Sequence, residues 1–79
     1  MGPSLPATAI EDRLSQAEQE LQQVEGSLQV FLRDNRRYEN SPELQFEHDR
    51  LQRRVALHQQ VVVSLAEAHE EARIDEVRN

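Results

Sequence analysis

The chain has 79 residues, of which 37% are hydrophobic, 30% charged and 4% aromatic, with no Cys and no Trp. That excludes a disulfide scaffold, thiol catalysis and Cys-ligated zinc, and no apolar run approaches the roughly 18 residues of a membrane span. Nine arginines and no lysine stand against fifteen acids, and the net charge of −6 argues against nucleic-acid binding.

Low Gly and Pro content with abundant Glu, Gln, Leu, Ala and Arg suits long helices, and the apolar spacing decides between helix and disorder. Residues 1–8 carry Gly2, Pro3 and Pro6 with no periodicity and read as a disordered leader or an expression scar. Thr8 followed by Glu11 fits a capping box, so a first helix is expected over residues 9–37. Within it Ile10, Leu14, Ala17, Leu21, Val24, Leu28 and Phe31 alternate steps of four and three, which is a heptad seam. Gly26 lies off that seam. Arg33, Arg36 and Arg37 gather where the helix should end, near the negative end of its macrodipole.

Residues 38–41 break the period and form the expected turn, with Asn40, Ser41 and Pro42 at its exit. Ser41 supplies an N-cap and Pro42 a first helical residue, and the second helix is expected over residues 42–79. Its seam runs Leu44, His48, Leu51, Val55, His58, Val62, Leu65, His69 and Ala72. Phe46, Leu57, Val61, Val63, Ala68, Ile74 and Val77 fall outside the seam, so the apolar surface is wider than a two-stranded pairing requires. The short connection makes the helices antiparallel. The fold class is therefore all-α: an antiparallel two-helix coiled-coil hairpin. At 1.5 Å per residue the helices would measure about 43 Å and about 57 Å. The longer one should overhang, leaving residues 70–79 without a partner, as in a piece of a larger protein. One seam is a thin core, so self-association into a helical bundle is expected.

Chemistry-bearing patterns are few. His48, His58 and His69 all map to the second seam but stand ten and eleven residues apart, about 15 Å, too far to share one metal ion within a chain. They read as interface residues. The glutamates read as solvated faces, and no Ser, His and acid set or Gly-rich phosphate loop is present, so neither catalysis nor a cofactor is expected. Residues 33–54 hold Arg33, Arg36, Arg37, Arg50, Arg53 and Arg54 and carry a local charge of +1, on an otherwise acidic rod. With Tyr38 they make the tip a candidate contact for acidic polysaccharide or a partner protein, against the plainer reading of Arg–Glu pairing between helices.

The segments NRRYENSPELQFEHDRLQRRV at 35–55, LHQQV at 57–61 and SLAEAHEEARIDEVR at 64–78 resemble bacterial polysaccharide co-polymerases, the chain-length determinants of O-antigen, capsule and exopolysaccharide export. The resemblance covers residues 10–79 and is most specific from Asn35 onward. It implies a membrane-distal helical hairpin from a periplasmic portion, assembled as a homo-oligomer in the inner membrane, with membrane contact only through flanking segments. It implies a scaffold for polymer or polymerase, without catalysis. The matching positions are structural: Ser41 and Pro42 at the turn, Leu44 and Leu51 on the seam, Ala72 to Arg78 at the exit. A coiled-coil protein-interaction adaptor unrelated to glycans is the alternative that the residues alone leave open.

Overall fold

The computed structural model describes residues 5–78 of the chain. Helix α1 spans Ala7–Asp34, a 3-10 turn covers Tyr38–Asn40, and helix α2 spans Pro42–Arg78. No strand occurs among the described residues. The two helices run antiparallel as a hairpin, a rod of 59 × 22 × 15 Å.

The seam forms because two parallel-lying cylinders can hide only the stripes that face each other. In α1 the buried residues are Ala7, Ile10, Ala17 and Val24, with Leu14, Leu21, Leu28 and Phe31 half-buried between them. In α2 His48 and Leu51 are buried, and Leu44, Val55, His58, Val62, Leu65, His69 and Ala72 are half-buried. No described side chain falls below 2% exposure. Each seam residue has one neighbouring helix and solvent on either side, so burial stays partial. Antiparallel register is read from the contacts: Glu11 lies 3.7 Å from His69, and Phe31 lies against His48 with ring centroids 6.3 Å apart.

Helix α1 does not begin at a Thr8 capping box. It starts at Ala7, with Pro6 as the extended N-cap at φ −67° and ψ 156°, and the Pro6 carbonyl accepts from the Ala9 and Ile10 amides. Thr8 is inside the first turn and exposed. The physical reason lies across the hairpin: the Ala7 N–H, an orphan donor of the first turn, donates to the Glu76 carboxylate at 2.9 Å. Glu76 thus caps α1 from α2 and sets an anion at the positive end of its macrodipole. Of the expected leader, residues 1–4 lie outside the described residues, as does Asn79, while Ala7 and Thr8 are helical.

The overhang of α2 is shorter than the helix lengths alone suggest. Helix α2 has 37 residues against 28 in α1; part of the excess lies at the tip, where the 3-10 turn packs alongside the start of α2, and part at the open end, where residues 73–78 are exposed, Val77 at 80%. At the open end α1 reaches Glu76, and Leu5 and Ile10 border a hollow shared with Ala68, Glu71, Ala72 and Asp75. Ala72 and Glu76 therefore have neighbours from the first part of the chain, while Arg73, Ile74, Val77 and Arg78 stay exposed as expected of an overhang.

The tip is built from local hydrogen bonds. The Asn35 amide and its side-chain Nδ2 both donate to the Phe31 carbonyl, at 2.9 and 3.0 Å, closing α1. The Tyr38 amide donates to the Asn35 carbonyl at 3.1 Å, turning the chain. Ser41 caps α2: its Oγ accepts from the Leu44 amide at 3.4 Å and donates to Glu43 at 3.1 Å. Pro42, with no N–H to lose, begins the helix.

Gly26 sits mid-helix in α1, and a Cβ built on it would meet no atom within 4 Å beyond its own helix backbone. Gly26→Ala should therefore stabilise the hairpin by about 0.5–1 kcal/mol in urea denaturation, through helix propensity alone. A loss of stability would mean that this back face of α1 is packed against something.

Candidate functional site

Two surfaces offer chemistry: the tip, and the outer side of α2. At the tip the aromatic groups turn inward. Tyr38 stacks on His48 with centroids 4.2 Å apart and planes 19° from parallel, and Phe31 lies 6.1 Å from Tyr38. His48 is buried, and its Nδ1 lies 3.2 Å from the Asp49 carboxylate. This three-ring cluster ends the seam and seats the turn on both helices. Tyr38 is half-buried with one face taken by His48, so it contributes little aromatic surface to an outside ligand.

The six tip arginines are all exposed, but they do not converge. Arg33 pairs with Asp34 at 3.4 Å and Arg50 with Glu47 at 3.1 Å. Arg36, Arg37, Arg53 and Arg54 make no ion pair among the described residues. Arg54 stands twelve residues along α2 from Pro42, about 18 Å from the turn. The arginines thus form a sparse trail down α2 and no single anion pocket. Asn40 is exposed beside the half-buried Ser41, and both serve the turn.

The seam histidines serve packing. His48 belongs to the ring cluster, His58 is half-buried, and His69 faces Glu11. Among the described residues no three His, Cys, Asp or Glu side chains are gathered as a metal site would need. No described helix is long and apolar enough to cross a membrane.

The second surface is apolar. Phe46 is 66% exposed, Leu57 61% and Val61 43%, and all three lie on one side of α2, away from α1. Leu57, Gln60, Val61, Ser64 and Leu65 line an open groove of about 450 Å³. Val63, Ile74 and Val77 are also exposed but project from other sides of the helix. Sequence spacing identifies these off-seam residues, yet only the hairpin shows which of them share a face. Glu76, the cap of α1, had no local signal at all, because its partner is 69 residues away.

Two i,i+3 ion pairs shift their carboxyls. Hydrogen bonding from Arg50 holds Glu47 below the ordinary carboxylate range, helped by the charges of Arg50 and Arg54 and opposed by desolvation. Hydrogen bonding from Arg73, then its charge, does the same for Glu70. Since the folded values lie below the unfolded ones, the stabilisation is present above the unfolded carboxylate range and is lost as pH falls through the folded values. Both pairs are exposed, so salt weakens them. In a carboxyl-resolved NMR titration, Arg50→Ala should raise the Glu47 midpoint towards the ordinary carboxylate value, with Arg54 still present, while Glu70 stays depressed. An unmoved Glu47 would contradict the pairing.

Against this geometry, no family model, no curated protein and no solved structure matches the chain.

Proposed function

We propose that this hairpin is a coiled-coil scaffold segment of a bacterial polysaccharide chain-length regulator, working in the periplasmic portion of an oligomeric inner-membrane protein. The observation that carries the reading is the antiparallel hairpin whose turn leads through Asn40 and Ser41 into Pro42, within the stretch from Asn35 onward where the resemblance to co-polymerases is most specific. Two further features agree with it. The seam makes a stiff rod of 59 Å, a shape that sets distances and offers little enclosed volume. The outer side of α2 carries apolar side chains that the hairpin does not use, as a subunit with neighbours requires.

In this reading the residues have mechanical roles. Leu14, Leu21, Leu28, Leu44, Leu51, Val55, Val62 and Leu65 hold the rod, and Ser41 with Pro42 fixes the sharpness of its tip. Leu57 and Val61 meet a neighbouring subunit. The exposed arginines trail from the tip and supply positive charge to an acidic polymer or to a polymerase partner. No catalysis and no cofactor is assigned.

The gene carrying this segment is expected to encode transmembrane helices on both sides of it. In that full-length protein, Leu51→Asp should open the seam and shift or broaden the polymer length distribution, read by gel electrophoresis of the surface polysaccharide. A parent without transmembrane helices, or an unchanged distribution despite a demonstrably opened hairpin, would overturn the assignment.

A further inference from the structure

The outer stripe of α2 has an order along it. Arg50 and Arg54 come first, then the apolar middle from Leu57 through Val61 and Ser64 to Ala68, and then Glu71 and Asp75. These positions recur every three or four residues and so stand on one side of the helix. Leu5, at the edge of the hollow it shares with Ala68, Glu71 and Asp75, extends the apolar strip at its acidic end. The charges at the two ends are opposite in sign; Arg50 is already paired with Glu47, while Arg54, Glu71 and Asp75 make no ion pair among the described residues.

Such a stripe is complementary to itself under one operation only. Turned end over end about a two-fold axis between Val61 and Ser64, it sets Val61 against Ser64 and Leu57 against Ala68. The same rotation sets Arg54, which has no partner within the hairpin among the described residues, against Glu71, and sets the Glu47-paired Arg50 near Asp75; each contact occurs twice by symmetry. A parallel pairing would instead align arginine with arginine and acid with acid, which costs free energy. We propose that this chain forms an isologous dimer through the outer stripe of α2, the two copies antiparallel, giving a four-helix layer with the tips at opposite ends.

The occupant of the apolar groove is therefore a second copy of this chain. A partner of another kind would meet Leu57 and Val61 without the matched charges at both ends. The inference concerns the hairpin by itself and does not rest on the glycan reading. Hairpins rooted side by side in one membrane all point the same way, so this antiparallel pairing is a property of the chain free in solution. Loss of this dimer would leave that reading standing.

The test is sedimentation equilibrium of the 79-residue chain in low salt, with circular dichroism alongside to show that each variant is folded. The wild type should be a dimer, with its dissociation constant rising as salt is added. Arg54→Glu replaces two attractions by two repulsions and should weaken the dimer by about tenfold. The double variant R54E/E71R restores both pairs across the axis and should recover most of that loss. Val61→Asp should leave a helical monomer. A wild-type chain that stays monomeric at millimolar concentration would overturn the proposal. So would a double variant no tighter than Arg54→Glu, or spin labels at the tips that lie close together in the dimer.

Discussion

Everything in this molecule depends on a single line of contact. Two antiparallel helices have one interface between them, and each seam side chain is covered by one neighbour and its own flanks. That is why no described residue is fully enclosed, although Ala17, Val24, Leu51 and His48 are well buried. Helix propensity alone is marginal for isolated segments, so the hairpin's order comes from this apolar stripe. The ends of the stripe are then fixed by polar and aromatic contacts. At the open end the Glu76 carboxylate takes the Ala7 amide, and at the tip Tyr38, His48 and Phe31 stack as the chain turns.

The same constraint creates the outer surface. A helix can present only about a third of its circumference to one partner, while α2 carries apolar residues on more than that. Leu57, Val61 and Phe46 are left in water by a hairpin that has no third element to cover them. A surface of this kind is where interaction function concentrates in soluble proteins. The charges follow a different logic. Glu47 with Arg50 and Glu70 with Arg73 are local i,i+3 pairs that steady the exposed side of α2, whereas Arg54, Glu71 and Asp75 are left for other contacts.

How much of this was legible depends on the range of each interaction. The alternating steps of four and three place Ile10 to Phe31 and Leu44 to Ala72 on their seams because helical periodicity is a local property, and an all-α hairpin follows. Ser41 and Pro42 mark the start of α2 because capping is local too. Three features escaped for the opposite reason. Thr8 has the pattern of a cap, but the Ala7 amide is satisfied by Glu76 from the far helix, and the helix starts earlier. The overhang of α2 is shorter than its length suggests, because the 3-10 turn lies alongside the start of α2 and takes up part of the excess. The arginines of residues 33–54 cluster in sequence but spread along the rod, because a helix converts neighbouring numbers into axial distance.

The central claim is that the seam, and not the helical tendency of each segment, holds this fold. Replacing Leu21 and Leu51 together by Asp, one on each side of the seam, tests it most directly, with far-ultraviolet circular dichroism of the purified chain as the readout. The account predicts loss of most of the helical signal at room temperature. A variant that keeps the wild-type helical spectrum and unfolds at the wild-type temperature would contradict it.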